Sequence, residues 1–281
     1  MRLKFTKMQG VGNDYIFFDC RGNTIKDPSP LAARLSDRHF GVGGDGMVLI
    51  ERSSVADVGM RMFNADGSEG KMCGNAVRCV AKYVYDDKTV DKAVVSVETA
   101  AGIKKIALLF DGAGHAFKAR VSMGNATFTP EEIPASVEDA ADTPLTLTDG
   151  SIVRAVCVGV GNPHCVVFCG NGIDSDKIGR LGPLIERHPA FPDRTNVEFV
   201  NVLSENSIKM RVWERGSGET YACGTGACAA VAAAVRRGYF AFNTEIAVIC
   251  RGGELAVVCG DGYELSLTGD AVRVFDGETD V

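Results

Sequence analysis

The sequence predicts an α+β protein built from two pseudo-symmetric halves. Three observations carry this: the chain repeats itself at a nearly constant spacing, short β-branched and aromatic runs bounded by Gly, Asp or Asn fill both copies, and helical patterns are few. VGNDYIFFD begins at Val11 and VGNPHCVVF at Val160, an offset of 149 residues. MRMFNADGSEGKMCGNA begins at Met60 and MRVWERGSGETYACGTG at Met210, an offset of 150 with no gap. Phe63 falls on Trp213, Glu69 on Glu219, and Cys73-Gly74 on Cys223-Gly224. The expected division is 1–122 and 123–270, with 271–281 as a last strand.

Taken in chain order, YIFFD, GMVLIE, VVSVET and KIALLF read as strands of the first copy. CVVFC, VEFVNVL, KMRVW, EIAVIC and LAVVC read as strands of the second. Pro30 to Arg38 has helical spacing with Ser29 as its expected N-cap. Asn75 to Tyr85 and Thr225 to Arg237 are the other two expected helices. The acidic, Pro-bearing stretch Glu131 to Pro144 reads as a solvated connection between the halves.

With 281 residues and 46% apolar content the chain can bury a sizeable core. A net charge of −6, without a cluster of Lys or Arg, argues against nucleic acid or an anionic membrane as partner. The opening residues MRLKFTKMQGVGND lack the apolar core of an export signal, and no run reaches a membrane span, so a cytoplasmic protein is expected. That compartment favours reduced thiols among the ten cysteines, most of which read as compact core residues. No Cys-x-x-Cys pair occurs, and Cys165 and Cys169 lack a second pair to complete a zinc set. Gly41 to Gly46 fits G-x-G-x-x-G, but a helix-like segment precedes it and a strand-like one follows, the reverse of a dinucleotide site. No metal and no cofactor are expected.

Two cysteines stand apart. Cys73 and Cys223 each follow a polar, Gly-rich turn and open a helix. At such a helix end free N–H groups and the dipole favour negative charge, which lowers a thiol pKa and offers Gly74, Asn75, Gly224 and Thr225 as a carboxylate cradle. Pseudo-symmetry would place the two ends across a crevice. One thiolate could then take an α-proton while the opposite thiol returns one to the other face. Preorganised donors hold the developing carbanion charge, at roughly 3 to 4 kcal/mol for a well-placed one. Acid and base groups add roughly a factor of 10² to 10⁴.

With VGNDYIFFD, RHFGVGGDG, FNADGSEGKMCGNAVRC, GNPHCVVF, RTNVEFV and WERGSGETYACGTGACA, nearly the whole chain resembles the diaminopimelate epimerase family of pyridoxal-independent racemases and epimerases. The resemblance implies two barrel-like sheets, each wrapped around a central helix, with the last strand returning to the first domain. It implies interconversion of LL- and meso-2,6-diaminopimelate on the route to lysine and peptidoglycan precursors, in a homodimer contacting through Phe275. On this resemblance Cys73 and Cys223 are the acid/base thiols, His164 and Glu214 tune them, and Gly74, Asn75, Gly224 and Thr225 hold the reacting carboxylate. Asn13, Asn64, Asn162, Asn196, Glu214 and Arg215 contact substrate. Some relatives carry a substrate-touching Gln where this chain has Gly46. Taken alone, the Asn residues also suit turns and His164 a structural role. Two alternatives stand beside the epimerase: a proline or hydroxyproline racemase using the same thiols, and a non-catalytic or redox binding protein on this fold.

Overall fold

The structure, a computed structural model, describes residues 2–170, 172 and 174–280. Its strands pair in one pattern used twice. The first unit runs to Ser122 and takes back the residues from Thr268 onward; the second spans Met123–Leu267. The first contains β1 (Arg2–Gly10), β2 (Asn13–Asp19), α1 (Pro28–Ser36), β3 (Gly46–Glu51), β4 (Val58–Asn64), β5 (Glu69–Gly70), α2 (Gly74–Asp86), β6 (Val94–Thr99) and β7 (Gly102–Phe110). After β8 (Ala116–Asn125) the second follows with β9 (Thr143–Thr146), β10 (Ile152–Gly159), β11 (Pro163–Phe168), α3 (Ser175–Glu186), β12 (Asn196–Ser204), β13 (Ser207–Glu214), β14 (Gly218–Thr220), α4 (Gly224–Arg236), β15 (Glu245–Cys250) and β16 (Gly253–Cys259). Then β17 (Glu264–Asp270) leads to β18 (Val272–Asp280), which pairs antiparallel with β1.

Within the first unit β1–β2 is antiparallel, β2–β3 parallel, β3–β4 antiparallel, β4–β6 parallel and β6–β7 antiparallel. Within the second, β10–β11, β11–β12, β12–β13, β13–β15 and β15–β16 repeat that series. A parallel step needs a crossover, normally a helix. The helices fall there: α1 and α3 join the first parallel pair of each unit, α2 and α4 the second. The register repeats too, since Tyr15 lies opposite Gly46 and His164 opposite Asn196. Even an ion pair recurs, Arg61 on Glu69 at 2.8 Å and Arg211 on Glu219 at 2.6 Å.

Strand alternation gives each sheet two apolar faces. Ile16, Phe18, Met47 and Leu49 pack with Leu31 and Leu35 of α1, and Cys165, Val167, Val197 and Phe199 with Ile178, Leu181 and Ile185 of α3. The other faces enclose α2 and α4. Helix α2 packs against β1, β2, β6, β7 and β18, and α4 against β10, β11, β12, β13 and β16. From Gly226 to Val235 every residue of α4 is buried, the mark of a helix enclosed on all sides. The α+β fold with a central helix in each half is therefore present.

Three expectations change. Asp27, not Ser29, precedes α1, and the Ser29 hydroxyl donates to the Gly67 carbonyl at 2.6 Å. The stretch Glu131–Pro144 is no solvated connection: Ile133, Ala135 and Ala140 are buried in the α3 core cluster. Helix α3 was not expected, because Gly179, Gly182 and Pro183 break its periodicity; the counterpart position of α1 in the repeat was the signal for it. Gly182 is there for contact, since a Cβ would lie 2.6 Å from Trp213 Cγ. Gly→Ala in a helix ordinarily gains up to about 1 kcal/mol. Overpacking of a core costs typically 1–3 kcal/mol, so Gly182→Ala is expected to lower the denaturation midpoint, and a raised midpoint would contradict this packing.

Candidate active site

Each helix that fills a unit begins at a cysteine. Cys73 occupies the N-cap of α2 with extended backbone (φ −130°, ψ 125°), and Cys223 that of α4 (φ −122°, ψ 117°). At such a position the first helical N–H groups have no intrahelical acceptor. Gly226 N donates to Cys223 Sγ at 3.4 Å. Cys73 has no such cap hydrogen bond, though the nearby N–H groups of Ala76 and Asn75 pull its thiol down.

The sequence-predicted residues of the first unit gather at its thiol. Asn13 Oδ1 accepts from Cys73 Sγ at 3.4 Å and from Asn75 Nδ2 at 3.1 Å, while Asn13 Nδ2 donates to Asp45 at 2.6 Å. The buried Arg78 donates to Asn75 Oδ1 at 2.8 Å and to the Gly74 carbonyl at 3.0 Å, tying the helix start together. Asn13 enters from the two-residue β1–β2 turn, where Val11 (φ 56°) and Gly12 (φ 79°) are both left-handed. For a β-branched residue that conformation is strained. Asn64 is exposed and hydrogen-bonds to Ser68 within its own turn.

In the second unit Thr225 Oγ1 lies 3.4 Å from Cys223 Sγ and accepts from Asn162 Nδ2 at 3.5 Å. Asn162 Oδ1 is 2.9 Å from His164 Nε2. Glu214 faces Cys223 and accepts from the Thr220 hydroxyl. Asn196 is buried and spent on backbone: its amide donates to the Pro163 carbonyl and its oxygen accepts from Arg215 N, each at 3.0 Å. The exposed Arg215 guanidinium donates to the Asp193 carbonyl. His164 and Glu214 thus both belong to the Cys223 side, an assignment the sequence left open. Phe275 sits on β18, 47% exposed, its ring edge-on to Phe5 at 5.9 Å.

Electrostatics correct the expected lowering of both thiols. Burial dominates and pushes the Cys73 thiol up, against hydrogen bonds from Ala76 N, Tyr15 and Asn75 N that pull it down. Burial pushes Cys223 well above the ordinary range, and the charges of Glu214 and Glu198 push it further. Burial also raises the Glu214 carboxyl, opposed by its hydrogen bonds to Thr220 and Cys223. The helix-end pull is real but smaller than desolvation.

Two residues at these thiols were missed. Tyr15, a buried side chain on the same strand face as Asn13, pulls the Cys73 thiol down; it stands at the repeat position of His164, which was the available signal. At Gly46 the obstacle is backbone: a Cβ there would run into the Phe63 carbonyl oxygen and would also lie 3.0 Å from Tyr15 Cε1, so a side chain would need the neighbouring strand to shift. Glu198 is the second; its partner is His164.

Among the described residues no helix is long and apolar enough to cross a membrane, and no group of three or more His, Cys, Asp or Glu is placed to hold a metal ion. A profile of the family described as diaminopimelate epimerase matches residues 5–129 and 156–274. The diaminopimelate epimerase of Desulfovibrio desulfuricans is 48% identical over 98% of this chain and 98% of its own. That of Methanococcus maripaludis is 45% identical over 99% and 100%. Among solved structures, a phenazine biosynthesis protein of the PhzF family from Bacillus anthracis covers both chains fully with a TM-score of 0.75 at 17% identity. A hydroxyproline epimerase from Agrobacterium vitis superposes with a TM-score of 0.70 at 16% identity, over 99% of this chain and 92% of its own. Those two likenesses concern the fold; the sequence matches along both units place the chain in the diaminopimelate epimerase family.

Proposed function

We propose that this chain is a cofactor-independent isomerase that interconverts LL- and meso-2,6-diaminopimelate by moving a proton at one α-carbon. The observation that carries the reading is the pair of thiols at equivalent helix N-caps, in a chain of this family. Inversion needs a base on one face of the carbon and an acid on the other, and Cys73 and Cys223 take those roles. In the LL-to-meso direction a thiolate accepts the α-hydrogen as a proton. The electron pair passes into the adjacent carboxylate, and the second thiol protonates the carbon from the opposite side. The enzyme ends with its two sulfurs in exchanged protonation states.

The shifts favour Cys73 as the sulfur that loses its proton first. Both thiols rise through burial and both are drawn down by hydrogen bonds, but Cys223 also faces the charges of Glu214 and Glu198, while the Arg78 charge pulls Cys73 down. Glu214 is positioned to take the Cys223 proton when that thiol must serve as the base. The N–H groups of Gly74, Asn75, Gly224 and Thr225 are the donors for the reacting carboxylate, whose charge they hold better as it grows. Arg215, with Asn64 and Asn162, binds the distant amino-acid end, a group that proline lacks; a guanidinium grips a carboxylate with two parallel bonds. Asn13 and Asn196 hold Cys73 and the Arg215 backbone in place while bordering the substrate. The chain works in the cytoplasm, in the synthesis of lysine and peptidoglycan precursors, as a homodimer with Phe275 in the contact.

Purified, reduced protein is expected to convert LL-diaminopimelate to the meso form, read by chiral chromatography, without added pyridoxal phosphate or metal. L-Proline should stay unchanged; turnover of proline instead would favour the racemase reading. Cys73→Ala and Cys223→Ala should each abolish conversion. Tyr15→Phe removes a hydrogen bond that pulls Cys73 down, so the midpoint for alkylation of Cys73 should move to higher pH with Cys223 unaffected, read peptide by peptide in a mass spectrometer. An unmoved Cys73 midpoint would remove Tyr15 from this account.

A further inference from the structure

Glu198 is a fully buried acid near the start of β12. Strand alternation turns it away from Val197 and Phe199, which pack on α3, and towards the start of α4. One carboxylate oxygen, Oε1, accepts from His164 Nδ1 at 2.7 Å. The other, Oε2, has no hydrogen-bond partner among the described residues. A buried polar atom left without a partner costs about 1–3 kcal/mol, more when charged, so its retention calls for a reason.

The repeat supplies one. In the first unit the counterpart of Glu198 is the buried Val48, and the counterpart of Gly226 is Ala76. In the second unit the pair changes together. A Cβ on Gly226 would lie 2.7 Å from Glu198 Oε1 and 3.2 Å from Cys223 Cβ. The missing side chain therefore opens the spot where acid and thiol approach each other across the first turn of α4. The contacts then run without a break: Glu198 to His164 at 2.7 Å, His164 to Asn162 at 2.9 Å, Asn162 to Thr225 at 3.5 Å and Thr225 to Cys223 at 3.4 Å.

We propose that Glu198 is a positioning residue for Cys223: its carboxylate clamps His164, His164 fixes Asn162, and Asn162 holds Thr225 against the thiol. Its charge has a second effect in the same place. The titratable groups on its side are His164 on β11, Glu214 on β13 and Cys223 at the head of α4, and Cys165 lies behind it on the α3 face of the sheet. Glu198 raises Cys165, Glu214 and Cys223 alike, so it favours the protonated thiol on this side. Among the described residues, the groups that act most on Cys73 are Asn13, Tyr15, Asn75, Ala76 and Arg78, none of them a carboxylate. The two thiols of a symmetric scaffold thereby differ at rest, one acid and one readier to be the base.

The turnover arm of the test rests on the epimerase reading; the thiol arm does not. In Glu198→Gln the His164 acceptor survives and the charge is lost. The midpoint for modification of Cys223 by methyl methanethiosulfonate should fall to lower pH, each unit corresponding to about a tenfold faster reaction at fixed pH. Cys73 in the same sample should keep its midpoint. Glu198→Asp keeps the charge but withdraws it from His164; there the Cys223 midpoint should stay near the parent while kcat falls on the order of 10- to 100-fold with KM little changed. An unmoved Cys223 midpoint in Glu198→Gln, or an unchanged kcat in Glu198→Asp, would overturn the proposal. So would loss of fold in both variants, seen as exposure of the buried Cys165, since Glu198 would then only complete the core. A parent protein inactive on diaminopimelate would sink the epimerase reading and leave the Cys223 result standing.

Discussion

A sulfur at the first turn of a buried helix is pulled two ways. Desolvation keeps its proton on, and the free N–H groups of the helix end draw it off. Most of the functional architecture of this chain follows from that opposition. At Cys73 and at Cys223 desolvation wins, so neither sulfur is a standing thiolate and each depends on its immediate neighbours to become one. The neighbours are strand residues: Asn13 and Tyr15 from β2 for Cys73, and Glu214 from β13 with the β11 and β12 pair His164–Glu198 for Cys223. Sheets that wrap a helix from several sides can bring such groups to the helix end from different strands, which a helix packed on one face could not do.

The same scaffold carries different charges in its two copies. Tyr15 stands where the second unit has His164, Asn64 where it has Glu214, Asn75 where it has Thr225, Val48 where it has Glu198. Backbone features were kept: the order of parallel and antiparallel steps, the register beside the central helix, the extended cysteine before it. Side chains that set protonation were not. A two-base inversion requires this combination, because the geometry must treat both faces of a carbon alike while the chemistry needs one proton too few on one side.

The repeat made much of this legible. The short β-branched and apolar runs GMVLIE, VVSVET and EIAVIC were marked with their observed bounds. The helices at Cys73 and Cys223 were marked because Ala- and Val-rich runs follow each Cys-Gly. Helix α3 was hidden because Gly182, needed for contact with Trp213, and Pro183 inside the helix break the local pattern. The Glu131–Pro144 segment misled in the opposite sense: its acids Glu131, Glu132, Glu138 and Asp139 are exposed, but Ile133, Ala135 and Ala140 among them are buried. At the site, the thiols and the helix-end residues beside them could be found from chemistry and spacing, and Asn13 and Asn162 only from the family resemblance. Burial could not, and burial reverses the direction of the thiol shifts. Tyr15 and Glu198 escaped because each looks like an ordinary strand residue until its neighbour across the fold is known.

The claim beneath the rest is that two sulfurs, each from its own helix end, act on opposite faces of one carbon. The direct measurement is conversion of protiated LL-diaminopimelate in heavy water, stopped before equilibrium, with deuterium counted separately in each isomer. Two separate bases predict deuterium at the inverted carbon of nearly every new meso molecule, while the recovered LL isomer stays protiated. Equal label in both isomers from the start would mean a single base serving both faces, and would contradict the account.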